Sequence, residues 1–130
     1  MSSHLVLEKR FYREDSMKSN VYFIDLRASA KESLVEKLAR LLDTAGLSEA
    51  VKERDLVAVK LHFGEKGNTA FIRPVFIRKI VESIKGVGGF PFLTDANTLY
   101  SGTRSDSPHH LSTAIQNGFA YSVVDAPIVI

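Results

Sequence analysis

The segment Leu56-Val57-Ala58-Val59-Lys60-Leu61-His62-Phe63 constrains this chain more than any other. Its alternation puts Val57, Val59, Leu61 and Phe63 on one face and Ala58, Lys60 and His62 on the other, as in a strand with one face against a core. A loop, Gly64 to Thr69, follows. Pro74 then fits the first turn of a helix, where its missing N–H removes no bond, and Phe76, Ile77, Ile80, Val81 and Ile84 form the buried stripe before Gly86. Gly88-Gly89 turns the chain into another apolar run, Phe90 to Thr94. A strand, a crossover helix and a second strand imply parallel pairing with a right-handed connection.

The same alternation of elements extends in both directions. Val21-Tyr22-Phe23-Ile24-Asp25-Leu26 has the β-branched and aromatic character of a buried strand, starting the ordered part of the chain at Asn20. Ser29-Ala30-Lys31-Glu32 is a capping box, and Leu34, Val35, Leu38, Leu41, Leu42 and Ala45 make one apolar helical stripe that Gly46 closes. A shorter helical stretch follows from Leu47 to Arg54. Downstream, a polar loop from Asp95 to Ser107 leads to a helix at Pro108, with Leu111, Ala114 and Ile115 inward and Gly118 as its stop. Pro127 to Ile130 resembles the opening of a fourth strand. The expected fold is α/β, a mostly parallel sheet in β-α-β-α-β-α-β order with helices on both faces.

Residues 1–19 carry charges without a sustained apolar period and read as a leader, disordered or foreign to the native chain. Residues 20–130 read as the α/β domain. The chain stops at Ile130 within an apolar run, which suggests a truncated, N-terminal part of a longer protein. Such a cut would expose an apolar edge near the last strand and favour a homo-oligomer.

With no cysteine, the chain can hold no disulfide, thiolate metal site or cysteine nucleophile. No apolar run approaches the roughly 20 residues that cross a bilayer, so a membrane partner is not expected and a cytoplasmic location is the default. The 17 basic and 15 acidic residues are spread along the chain without the stripe of a nucleic-acid binder.

In an open parallel sheet, ligands bind beyond the carboxyl ends of the strands. Lys60 and His62 share a strand face there, and Gly64 and Gly67 let the backbone turn its N–H groups toward an anion. The Gly64-x-x-Gly67 spacing is not a phosphate-binding Walker loop, and no Gly-x-Gly-x-x-Gly follows the first strand. Asp95, at the next strand end, could orient His62 or bind a hard cation, and Arg104 presents a planar fork of donors to an anion. The candidate catalytic residues are His62, as acid/base or metal ligand, and Asp95 as its partner, within roughly 3 to 6 Å of each other. Lys60, Glu65, Asn68, Arg73, Asn97, Tyr100 and Arg104 are the candidate ligand-binding residues. Glu65 and Asn68 read equally as turn residues. His62, Asp95 and one of His109 and His110 would make an imidazole and carboxylate metal set, but their spacing matches no fixed motif; otherwise the two histidines are a solvated helix cap.

Val57-Ala-Val-Lys60-Leu-His62-Phe-Gly64-Glu65-Lys-Gly67-Asn68-Thr69, Ile72-Arg73-Pro74, Thr94-Asp95-Ala-Asn97-Thr98-Leu99-Tyr100-x-Gly102-x-Arg104 and Ala114-Ile115-x-Asn117-Gly118-Phe119 together resemble the domain of unknown function 362 family. The resemblance runs from about Val21 to Ile130. It implies an uncharacterised iron–sulfur centre protein; because this cysteine-free chain can bind no such cofactor, either the 4Fe-4S ferredoxin-like segment lies in a missing C-terminal domain or this member lacks it. A distant similarity to nickel-pincer lactate racemases implies a cleft between two α/β halves for a small carboxylate. The function expected is thus the α/β half of an iron–sulfur-associated protein with a polar cleft for a small anionic ligand or metal, acting as oxidoreductase or isomerase. The alternative is a non-catalytic anion-binding or domain-interface module, the latter anchored by Tyr100 and Phe63.

Overall fold

The computed structural model describes residues 20–130, so the leader assigned to residues 1–19 lies outside the described residues. Helices α1 (Leu34–Thr44) and α2 (Leu47–Ala50) precede strand β1 (Leu56–Lys60). Helix α3 (Pro74–Gly86) crosses to strand β2 (Phe90–Thr94), and α4 (Ser107–Ala114), a π-type turn at Ile115–Phe119 and α5 (Tyr121–Val124) follow. The central β-α-β unit forms as the alternation requires. β1 and β2 pair in parallel from Leu56 opposite Phe90 to Lys60 opposite Thr94, and Leu61 adds one more bond, its N–H reaching the Thr94 carbonyl at 3.1 Å.

The faces of β1 also follow the alternation. Leu61 and Phe63 are buried, Val57 and Val59 half-buried, and Lys60 and His62 exposed. Leu61, Phe63 and Leu93 join Ile77 and Val81 of α3 with Ala114, Phe119 and Val124 in one core. Phe63 and Phe119 meet edge to face at 5.2 Å between ring centroids. Gly118 takes φ +93°, the left-handed conformation that stops the helix where its residue type predicts.

The expected four-strand order is not found among the described residues, where the sheet has two strands. Val21 to Leu26 forms no strand: Ile24 and Leu26 lie beside Leu34 and Leu38 of α1 and Phe76 and Ile80 of α3, where there is no backbone ladder to join. Val21, Phe23 and Leu26 are 89%, 86% and 81% exposed, and the segment is tied to α1 by Lys37, which bonds Asp25 and donates to the Arg27 carbonyl at 2.8 Å. At the other end, Ile128 makes a single parallel bridge to Leu93, so β2 lies between β1 and the last residues of the chain. Nor do helices cover both sheet faces: Leu56 and Phe90 remain 80% and 58% exposed.

Three smaller differences have local causes. The capping box of α1 is Ser33 with Glu36, the second Ser-x-x-Glu in the sequence; Ser33 Oγ accepts from Glu36 N–H at 3.2 Å and Glu36 returns the bond at 2.6 Å. Ser29 Oγ does accept from Glu32 N–H at 3.1 Å, but the Glu32 carboxylate is drawn off by Arg40 at 2.9 and 3.0 Å. The stretch after Gly46 stays helical only to Ala50, and Arg54 turns the chain with φ +70°. Ile115, expected inward, is 53% exposed because the chain leaves regular α geometry there. No helix among the described residues is long and apolar enough to cross a membrane.

Candidate functional site

The parallel register places Lys60 opposite Thr94, so Lys60 and Asp95, the residue that follows β2, leave the sheet side by side. Lys60 Nζ donates to Asp95 Oδ1 at 2.8 Å, and the Ala96 N–H donates to the same oxygen at 2.9 Å. Arg104, 4% exposed, reaches the other oxygen: Nη1 is 3.3 Å from Asp95 Oδ2. Its Nε donates to Glu65 Oε1 at 2.7 Å and its Nη2 to Tyr100 Oη at 3.0 Å. Tyr100 Oη and Thr103 Oγ1 complete the cage by donating to Glu65 at 3.2 and 3.0 Å.

Two cations and two carboxylates therefore neutralise one another where the loops after β1 and β2 meet. The bonds from Arg104 hold the Glu65 carboxyl below its usual range. Burial works against ionising Asp95, but the bonds from Lys60 and Ala96 N–H outweigh it and its pKa is also lowered. For Arg104, burial opposes the charge, yet Glu65 keeps the guanidinium more firmly protonated than usual. All donors of this guanidinium that the geometry engages point at protein groups.

Of the two adjacent histidines one faces Asp95, as expected, and it is His110. His62 is exposed, and its Nδ1 accepts the Gly64 N–H at 3.0 Å. The ionic partners of Asp95 are Lys60, Arg104 and, at 3.8 Å, His110 Nε2; His62 is not among them. His110 is fully buried, with Nδ1 3.1 Å from Asn97 Oδ1 and its ring 5.7 Å from that of Phe63, edge to face. Asn97 Nδ2 donates to Ser107 Oγ at 3.2 Å, which orients the amide toward the ring. Burial pushes the His110 pKa down. The solvated-cap reading suits only His109, which is exposed and pairs with Asp106 at 2.7 Å. The signal for His110 was its spacing: His110, Thr113 and Ala114 stand at i, i+3 and i+4, and all three are buried.

Lys60, Glu65, Asp95, Tyr100 and Arg104 thus share one network, with Asn97 joined to it through His110. Asn68 and Arg73 lie elsewhere, in a groove of about 550 Å³ between the loop before α3 and residues Gln116 to Gly118. Asn68 acts as a turn residue, its Oδ1 accepting the Ala70 N–H at 2.7 Å. Asn117 braces the groove by donating to the Phe63 carbonyl at 2.9 Å. The Arg73 carbonyl accepts the Phe76 N–H at 3.0 Å, but its side chain makes no hydrogen bond or ion pair among the described residues. Phe63, expected to anchor an interface, is fully buried and belongs to the core. Among the described residues, no cluster of three or more His, Cys, Asp or Glu side chains forms a metal site.

No curated protein and no solved structure matches the chain. A family model does: that of the Domain of unknown function (DUF362) matches residues 57–130, from β1 through both loops of the ionic network to the last residue. With more than half of its length matched, the chain belongs to the DUF362 family.

Proposed function

We propose that this chain is the anion-binding α/β part of a larger, iron–sulfur-associated protein, and that a small anionic ligand sits in the groove beside Arg73. The observation that carries the reading is a contrast between cations. Arg104 and Lys60 are committed to Glu65, Asp95 and Tyr100, whereas Arg73 keeps its donor fork at the start of α3, facing the groove with Asn68, Thr69 and Gln116. A guanidinium at the positive end of a helix is suited to a carboxylate or phosphate. The iron–sulfur association rests on the family resemblance alone.

Binding is favoured over bond-breaking because Glu65 and Asp95 both hold cations with lowered pKa values, which makes each a weak base near neutral pH. Calorimetric titration of the chain with inorganic phosphate and with small dicarboxylates tests the proposal. Saturable binding should weaken at least about tenfold in Arg73→Ala, the loss of one charge-assisted contact. No binding by either ligand class, or equal affinity in the variant, would overturn it.

A second reading has its own observation. Leu99 is fully exposed and Tyr100 58% exposed at the tip of the loop after β2, as a contact point for a neighbouring domain would be. On that reading the ionic network is the rigid support of an interface.

A further inference from the structure

We propose that His110 is an acid-sensitive latch on the loop from Asp95 to Arg104, holding it closed when neutral and loosening it when protonated. The argument starts from the unpartnered atom. His110 Nε2 is buried and has no hydrogen-bond partner among the described residues, and it faces Asp95 Oδ2 at 3.8 Å. Asn97 Oδ1 accepts from Nδ1, so the neutral ring carries its proton there and turns a lone pair toward a carboxylate oxygen. Two acceptors face each other, and among the described residues the one donor on that oxygen is Arg104 Nη1 at 3.3 Å, the longest of the three guanidinium contacts.

A proton on Nε2 reverses this balance. The new donor finds its acceptor in Asp95 Oδ2, because Oδ1 is already held by Lys60 and the Ala96 N–H. Closing 3.8 Å to hydrogen-bond length draws Oδ2 from Arg104 and sets a third cation against two carboxylates. The titratable and charged groups around the ring are Asp95 from the end of β2, Arg104 from the loop, and Glu65 and His62 from the segment after β1. Phe63 packs against its edge and adds no charge. Arg104 is also the backbone tie of the loop, since its carbonyl accepts the Thr98 N–H at 2.9 Å. Weakening its side-chain anchor therefore frees the segment that carries Asn97, Leu99 and Tyr100. The proposal does not depend on a ligand in the Arg73 groove.

Amide hydrogen exchange of the 130-residue chain between pH 7.5 and 5.0, corrected for intrinsic rates, tests the latch. Protection of the Thr98 amide should fall about tenfold or more, while the Leu93 amide, bonded to the Pro127 carbonyl in the core, should keep its protection. His110→Gln should abolish the pH dependence at Thr98. Nitrogen-15 spectra of the wild-type ring give a second readout that needs no variant. They should show protonation at Nδ1 alone at pH 7.5 and at both nitrogens before the chain unfolds in acid. Equal loss at Thr98 and Leu93, an unchanged pH response in a folded His110→Gln variant, or a ring that takes no second proton short of unfolding would each overturn the proposal.

Discussion

Glu65 and Arg104 stand 39 residues apart in the chain and meet at 2.7 Å, Oε1 to Nε, across the gap between the loops that follow the two strands. The guanidinium is almost fully buried and the carboxylate about one-third exposed, 5% and 31% by side chain. This pair, with Asp95 and Tyr100 on the other guanidinium nitrogens, makes the two loops one unit. The shape of the strand-end surface therefore depends on Arg104 as a tie, in place of the anion clamp its chemistry first suggests.

The tie predicts unequal losses. Arg104→Ala leaves two carboxylates without their shared partner and should destabilise the chain by about 2–4 kcal/mol, below the full value for a buried pair because Glu65 is partly solvated. Glu65→Gln keeps one acceptor and should cost about 1 kcal/mol. Urea unfolding of both variants and the double mutant measures this. A double mutant no better than the sum of the singles would show that the two side chains are not coupled.

Gly64 and Gly67 both take left-handed φ, +85° and +83°, but their surroundings differ. A Cβ on Gly64 would come within 2.4 Å of Phe71 Cδ1 and 2.9 Å of Asn117 Nδ2, whereas a Cβ on Gly67 meets nothing within 4 Å. Gly67→Ala should cost about 1 kcal/mol, for the backbone conformation alone. Gly64→Ala should cost at least about 1 kcal/mol more, because either Phe71 leaves the core edge or Asn117 releases the Phe63 carbonyl. Equal unfolding midpoints for the two variants would contradict the packing described.

Phe63 joins the core to the buried histidine, through edge-to-face contacts with Phe119 at 5.2 Å and His110 at 5.7 Å. Phe63→Ala should cost about 3–5 kcal/mol, a large share of the stability of a chain this size. Thermal unfolding should show a loss of cooperativity or a fall in midpoint much greater than for Tyr100→Phe, which removes one hydroxyl with its two bonds, from Arg104 and to Glu65, and leaves the core intact.

How much of this was legible beforehand follows from where each signal resides. The β-α-β unit was readable because the alternation from Val57 to Phe63 and the stripe from Phe76 to Ile84 each report burial through local sequence. Val21 to Leu26 has the same composition, yet a strand needs a paired edge, and composition carries no information about what lies alongside. The network was half readable. Strand ends identify Lys60 and Asp95, but that Arg104 turns inward to Glu65 is a fact of two loops folding together. His110 was obscured by its neighbour: two adjacent histidines at a helix start look alike until the i, i+3, i+4 pattern with Thr113 and Ala114 separates the inward one.

The ionisable groups set how stability varies with pH, and their signs agree. His110 has a folded pKa below its ordinary 6.5, so the unfolded chain takes up a proton first, and stability falls as pH drops below about 6.5 toward the folded value. Glu65 and Asp95 have folded pKa values below 4.5 and 3.8; their contribution is present above those values and is lost as pH falls through the lower folded ones. Urea midpoints should be level from pH 7 to 8, decline gently between pH 6.5 and 5, and drop more steeply below pH 4.5. His110→Gln should flatten the first decline and leave the second intact, because its carboxylate partners keep Lys60 and Arg104. A midpoint that rises on acidification from pH 7 to 5 would reverse the sign assigned to His110 and require an imidazolium stabilised by Asp95 in the folded chain.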